Sequence, residues 1–335
     1  MKLATYRNGS RDGRLLVVSH DLTRAVDAAA VAPTMQFAIE HWCQVELELQ
    51  ALYGDLNEDA CADAFPFDPS RCMSPLPRTH QFVDASAFLN HGRIMEQAYQ
   101  LDVKKTPGIP ILVQRQSDEF WGPCEDYPLI EADNGDFEGE FAVIVDDTPM
   151  ASSPEFCAQQ IRLVMIFNDV SMRAHLFREL EMGFGFINAK PAAVFGPVAV
   201  TPDELGDAWA DDGRIHLDMQ VSVNSKHFGH PNGREMDWSF GELLAHLSKN
   251  RNLKAGTILG TGTVSNKEAR TVGSACLAEK RALEKIEHGE SSTPFLKIGD
   301  RLHFEVLDAD GRSIFGAVDH RFVSFDLKCC GREDA

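Results

Sequence analysis

Glu138-Gly139-Glu140 places two carboxylates two residues apart, and an apolar run from Phe141 to Val145 follows. In a strand, residues i and i+2 point to the same face, so both carboxylates would share a face with only a glycine between them. Like charges held that close repel and raise each other's pKa unless a cation sits between them. A hard divalent ion with oxygen ligands answers that need. Two solvated glutamates on an edge strand would give the same pattern, so this motif alone does not separate a metal site from ordinary surface.

Three further stretches concentrate polar residues among apolar ones. They are Val83-Asp84-Ala85-Ser86-Ala87-Phe88-Leu89-Asn90-His91, Phe167-Asn168-Asp169-Val170-Ser171-Met172-Arg173, and Gly185-Phe186-Ile187-Asn188-Ala189-Lys190. Singly, each has a plain structural reading. Asp84 could cap a helix, and Asp169 could end a buried strand and cap the next helix. His91 could be a satisfied structural histidine, and Lys190 a solvated one among lysines.

The elements that must position these groups follow from pattern. Residues 1 to about 70 read as a small N-terminal domain. Leu15 to Ser19 is a short strand after a turn-like Asn8–Gly13 stretch. Met35, Ile39, Trp42, Val45, Leu49 and Leu52 recur at helical spacing, which predicts one amphipathic helix over 34–53 with a core-facing stripe. The Asp-, Ala- and Pro-rich stretch 57–77 reads as a linker.

Beyond it the chain is strand-rich. Ser153-Pro154 opens a short helix, Leu163 to Phe167 reads as a buried strand, and Leu217 to Val223 alternates as a strand does. Thr201-Pro202-Asp203-Glu204 and Ser239-Phe240-Gly241-Glu242 both fit the capping box. Asp308 to Gly311 marks a hairpin between 301–307 and 313–318. Short strands with irregular connections point to an α+β, predominantly β architecture, a mixed β roll rather than a doubly wound sheet. No phosphate loop and no Gly-x-Ser-x-Gly elbow is present.

Composition narrows the function. The 335 residues carry 32 basic and 51 acidic side chains, a net charge of −19. That balance argues against non-specific binding of nucleic acid or of an anionic membrane. A small anionic substrate stays open, because a local Arg/Lys cluster can override the global field. The polar start and the lack of an apolar stretch of about 18 residues predict no signal peptide and no membrane span. The eight cysteines are scattered, with Cys329 and Cys330 adjacent, and read as reduced thiols of a cytoplasmic protein.

Together the polar stretches resemble the fumarylacetoacetate hydrolase family over roughly residues 75 to 325. Glu138-Gly139-Glu140 matches the family's metal-binding Glu-x-Glu, and Asn168-Asp169-Val170-Ser171-Met172-Arg173 its Asn-Asp-x-Ser-x-Arg segment. In fumarylacetoacetase a metal-binding Asp lies seven residues before the catalytic His, the spacing of Asp84 and His91. Gly262-Thr263-Val264-Ser265 and Gly273-Ser274 match the family's Gly-Thr-x-Ser stretch and the Gly-Ser eleven residues on. The resemblance implies a catalytic domain over 75–330, a homodimer, a place in aromatic amino acid catabolism, and Mg²⁺ or Ca²⁺ as cofactor, with Mn²⁺ a third candidate. It implies a metal set of Asp84, Glu138, Glu140 and Asp169. His91 would be the general base, and Arg173 and Lys190 cationic contacts to a small β-diketo or 2-oxo acid.

Two positions depart from the family. Where fumarylacetoacetase has a Glu that orients the catalytic His, this chain has Leu277; Glu279 lies two residues further on and either reaches His91 or belongs to a solvated helix face. Leu176 replaces a Gln of the substrate pocket. Three readings follow: hydrolysis of a carbon–carbon bond in a β-diketo acid such as fumarylacetoacetate or an acylpyruvate, decarboxylation or isomerisation of a 2-oxo dicarboxylic acid on the same site, or a catalytically silent homologue.

Overall fold

The computed structural model describes residues 1–100 and 106–325. Cys329 and Cys330, and the last residues of the expected 75–330 domain, lie outside the described residues.

An 11-stranded sheet runs through the molecule. Its centre is the antiparallel pair Ile161–Asn168 and Gly139–Val145. On one side, Gly139–Val145 pairs with Thr257–Gly260, which pairs in parallel with Phe82–Ala85, and Leu112–Arg115 closes that edge. On the other side, Ile161–Asn168 meets Val198–Val200, and the N-terminal strand Lys2–Tyr6 pairs with Val198–Val200 directly. Arg14–Val18, Arg24–Asp27 and Phe65–Pro66 then continue the same sheet. The stretch 57–77 therefore contributes a short edge strand, and Cys72 bridges to Tyr6.

A second sheet of five strands packs across from the first, in the order Lys226–Gly229, Met219–Val223, Arg301–Val306, Val318–Ser324, Tyr127–Leu129. The fold is mixed α+β and dominated by sheet, as the pattern of short strands predicts.

Strand alternation divides the core into two layers. Phe141, Val143 and Val145 face the five-stranded sheet with Phe304, Val306 and Phe322. Ala142 and Ile144 face the other way, toward Met35, Ile39 and Trp42. Glu138 and Glu140 have the parity of Ala142 and Ile144. Asp84 has the parity of Phe82, and Asp169 that of Phe167, and both aromatic residues lie in that same second layer. With the strands phased by these core layers, alternation aims Asp84 and Glu140 at one side of the sheet, and Glu138 and Asp169 stand one residue beyond the strand ends.

Several local expectations change in the structure. The helix expected over 34–53 is two helices, Met35–Glu40 and Trp42–Asn57, broken at His41, whose φ of −120° and ψ of 25° leave the helical region. The apolar stripe survives the break because both pieces still bury it. Ser239 and Glu242 form the expected capping box. Thr201 does not cap: its hydroxyl accepts from the Met1 nitrogen, and Glu204 lies 2.9 Å from the same nitrogen. The turn at Asp308–Gly311 forms, with Leu307 bridged to Ser313, but the returning strand starts only at Val318.

His320 ties the two sheets together. It is buried against Tyr127 and Phe322, and Asn168 Nδ2 lies 3.2 Å from its Nε2. Burial pushes its pKa down to about 4. The unfolded chain takes up this proton near the ordinary histidine value of 6.5 and the folded chain only near 4, so the interaction favours the folded state above that interval and less as pH falls through it. Thermal melts of the wild type between pH 7 and 4 should show a drop in Tm across this window that is smaller in His320→Gln; parallel curves would remove the histidine as its source.

Candidate active site

The site forms where four chain segments end on the helix-covered face of the large sheet. Phe82, Phe120, Phe167 and Phe195 pack there ring against ring, with centroids 4.9 to 5.9 Å apart. Asp84 leaves its strand over this aromatic layer. Gly260 on the adjacent strand must lack a side chain, since a Cβ there would sit 2.6 Å from Asp84 Oδ1 and 2.7 Å from Phe167. Gly262, at a φ of +79°, turns its N–H toward both Asp84 Oδ1 at 3.0 Å and Glu140 Oε2 at 2.8 Å.

Asp84, Glu140 and Asp169 each offer an oxygen within 4.8 Å of the others, and all three are buried. Burial, then repulsion from Asp169, pushes the Asp84 pKa up to about 7. Burial and the charges of Asp84, Asp169 and Glu138 push Glu140 well above the usual carboxylate range. Glu140 Oε1 is buried with no hydrogen-bond partner. Three crowded carboxylates with an oxygen atom left unpaired fit a hard divalent cation, which takes oxygen ligands.

Glu138 sits beside this group, with its oxygens otherwise engaged. Oε1 accepts from Ser171 Oγ at 2.8 Å, from Arg173 at 2.7 Å and from Lys190 Nζ at 3.0 Å, and Oε2 accepts from Thr263 Oγ1 at 2.6 Å. Burial would raise its pKa, but Lys190 and Arg173 hold it well below the usual range. Lys190 Nζ also lies 2.5 Å from Asp169 Oδ2. Burial alone would strip its proton; Asp169 and Glu138 instead hold it as the ammonium, with its pKa raised.

His91 and Glu279 meet at the cavity wall. Glu279 Oε2 lies 3.0 Å from His91 Nδ1, and the glutamate is fully buried. The helix Leu277–His288 begins with its Leu277 and Ala278 N–H groups on the Asp136 carboxylate. Its first turn then buries Glu279. Ala282 and Leu283 pack against Ile94 and Ala98 of the helix Leu89–Tyr99, which carries His91. The carboxylate that sequence spacing placed two residues away from the family position therefore reaches the histidine, because it stands on the third residue of a helix docked against the histidine's own helix.

Two residues of the site escaped the sequence reading. Arg115 is buried on the sheet's last strand, its Nε 2.9 Å from Asp169 Oδ1 and a second nitrogen on the same oxygen. It also donates to the carbonyls of Lys190 at 2.6 Å and Pro191 at 3.1 Å. No local signal marks it; only the pairing of Phe82 with Arg115 brings it there. Asp136 binds Arg173 at 2.7 Å as well as the helix start. The period-two series Asp136, Glu138, Glu140 was the signal that could have found it. In sum, five buried carboxylates face Arg115, Arg173 and Lys190, leaving two more negative charges than positive ones when all are ionised.

The loop 183–189 is tied to the same neighbourhood. Glu179 accepts from the N–H groups of Ile187, Asn188 and Ala189 at 2.9 to 3.1 Å. This fixes the backbone immediately before Lys190.

Residues 1–78 match the family model for the fumarylacetoacetase N-terminal domain 2, and residues 81–323 that for the fumarylacetoacetate (FAA) hydrolase C-terminal domain. The chain belongs to the fumarylacetoacetate hydrolase family. It is 27% identical over 161 residues to a 2,4-didehydro-3-deoxy-L-rhamnonate hydrolase of Sphingomonas sp. (strain SKA58), covering 47% of this chain and 53% of the relative. It is 36% identical over 127 residues to the fumarylacetoacetase of Caenorhabditis elegans, covering 35% and 30%. The chain thus spans at most about half the length of these curated relatives. The fold is similar to that of a maleylpyruvate hydrolase from Sphingobium sp. SYK-6, crystallised with manganese(II) and pyruvate, at a TM-score of 0.65 and 18% identity over 97% of this chain and 100% of that one.

Two outcomes check the geometry. In calorimetric titrations with Mn²⁺, Asp84→Asn and Glu140→Gln should each bind at least about tenfold more weakly than wild type; unchanged affinity would take the residue out of the ligand set. Arg115→Met leaves Asp169 Oδ1 and two carbonyls without the guanidinium that donates to them and should lower unfolding stability by about 3 kcal/mol in denaturant melts.

Proposed function

We propose that this member of the family hydrolyses a carbon–carbon bond in a β-diketo acid of the acylpyruvate type. The observation that carries the reading is the His91–Glu279 pair at the wall of the cavity that also holds Asp84, Glu138, Arg173 and Lys190. Decarboxylation or isomerisation needs an enolate to be stabilised but no activated water. A histidine backed by a buried carboxylate is the device that activates one.

Asp84, Glu140 and Asp169, with Glu138 beside them, would hold Mg²⁺, Mn²⁺ or Ca²⁺, and such an ion supplies Lewis-acid stabilisation where oxygen gains negative charge. The chain's own groups account for the rest. Glu279 accepts from His91 Nδ1, which leaves Nε2 as the basic nitrogen. Nε2 takes a proton from water, and the hydroxyl oxygen bonds to the acyl carbonyl carbon. The bond between that carbon and the pyruvyl methylene breaks, its electron pair passing into the enolate. Protonation of the enolate at carbon then yields pyruvate and a carboxylic acid. Lys190 and Arg173 fix Glu138 and Asp169 and keep positive charge beside the developing enolate. Family membership also motivates the proposal of a homodimer, which sedimentation velocity would test.

Purified protein with Mg²⁺ or Mn²⁺ should consume an acylpyruvate, read as loss of the enol absorbance, and EDTA should stop it. His91→Ala should lower kcat by at least about 10²-fold while leaving Mn²⁺ affinity within a factor of three. Glu279→Gln should lower kcat less than His91→Ala does. Full turnover by His91→Ala, or turnover surviving complete chelation, would reject the mechanism.

A further inference from the structure

The cavity, about 230 Å³ in volume, has two unlike ends. One end holds the carboxylates, His91, Arg173 and Lys190. The other is walled by Met95, Ile111, Val113, Leu176, Phe177 and Phe186. Those side chains come from both sides of the opening: the helix carrying His91, the strand Leu112–Arg115 with the residue before it, and the helix Arg173–Met182 with the loop after it.

A substrate with a second carboxylate at its far end would need a cation or several donors there. Among the described residues lining the cavity, the cations are Arg173 and Lys190, and both lie in the inner cluster on Asp136, Glu138 and Asp169. Leu176 stands one turn along the helix from Arg173, the residue that grips Glu138, so it faces the space just beyond the reacting end.

We propose that the substrate is a monocarboxylic 2-oxo acid of the acylpyruvate type whose acyl group is a hydrocarbon, branched alkyl or aryl, and that Leu176 sets this preference. The proposal rests on the acylpyruvate reading above and deepens it. The carboxylate and 2-oxo group bind at the inner end. The acyl substituent lies against Leu176, Phe177 and Val113, where burial of apolar surface favours it and an ionised terminus loses its water without meeting a further cation among the described lining residues.

The test compares tails of matched length. With Mn²⁺-loaded protein, kcat/KM for benzoylpyruvate should exceed that for fumarylpyruvate at least tenfold. Leu176→Arg should narrow or reverse that ratio at least tenfold. Binding gives a readout that needs no turnover: calorimetry should show 4-phenyl-2-oxobutanoate binding more tightly than 2-oxoadipate, with the order reversed in Leu176→Arg. Tighter binding or faster turnover of the dicarboxylates by the wild type, or a ratio indifferent to Leu176→Arg, would overturn the tail preference. Binding in the expected order without hydrolysis of any acylpyruvate would instead overturn the hydrolase reading and leave the subsite standing.

Discussion

The centre of this protein is an electrostatic imbalance held away from water. Asp84, Asp136, Glu138, Glu140 and Asp169 are buried together, and Arg115, Arg173 and Lys190 do not neutralise them all. Burying like charges is costly unless each is paired, and here the pairing is uneven. Glu138 is surrounded by donors, whereas Glu140 keeps an oxygen with no partner. The cations gather on the Glu138 and Asp169 side, and the shortfall falls on Asp84 and Glu140. That asymmetry separates a group of oxygens suited to a hard cation from a group that fixes the scaffold around it.

Most of the fold serves to hold that imbalance in place. The two central strands are apolar on both faces, so they cannot slide without exposing one layer or the other. Their register sets Phe167 opposite Glu140 and Asn168 opposite Gly139. Asn168 in turn accepts from the Glu138 N–H and reaches His320 on the second sheet. Gly262 closes the ring of contacts from a third direction, with a backbone N–H shared by two carboxylates. The sheet thus carries Asp84, Glu140 and Arg115, while helices and one loop bring His91, Glu279, Arg173 and Lys190 to them.

How much of this could be read from residues alone depended on distance along the chain. Strand alternation aims Glu138 and Glu140 the same way; that Asp84 and Asp169 share their side rests on the packing of Phe82 and Phe167 into one core layer. Capping at Ser239 and Ser153 is local chemistry and appears as expected. What pattern missed depends on partners far away in sequence. Arg115 matters because its strand lies against Phe82–Ala85, and nothing in the neighbouring residues says so. Thr201 has a good capping sequence, yet its hydroxyl is taken by the Met1 nitrogen 200 residues away. His41 breaks a helix whose apolar stripe runs straight through the break, so spacing gave no warning of it. Glu279 lies off the family spacing, and only the docking of two helices decides that it turns inward.

The pairing of Lys2–Tyr6 with Val198–Val200 has a further consequence. Val198–Val200 is entirely buried and apolar, and its other neighbour is the strand that leads to Asp169. Losing the first strand would therefore strip the cover from a sticky seam next to the strand that leads to Asp169, with bare amide groups ready to recruit another chain. A shortened form of this protein would fail first by clumping, before its chemistry could be assayed at all.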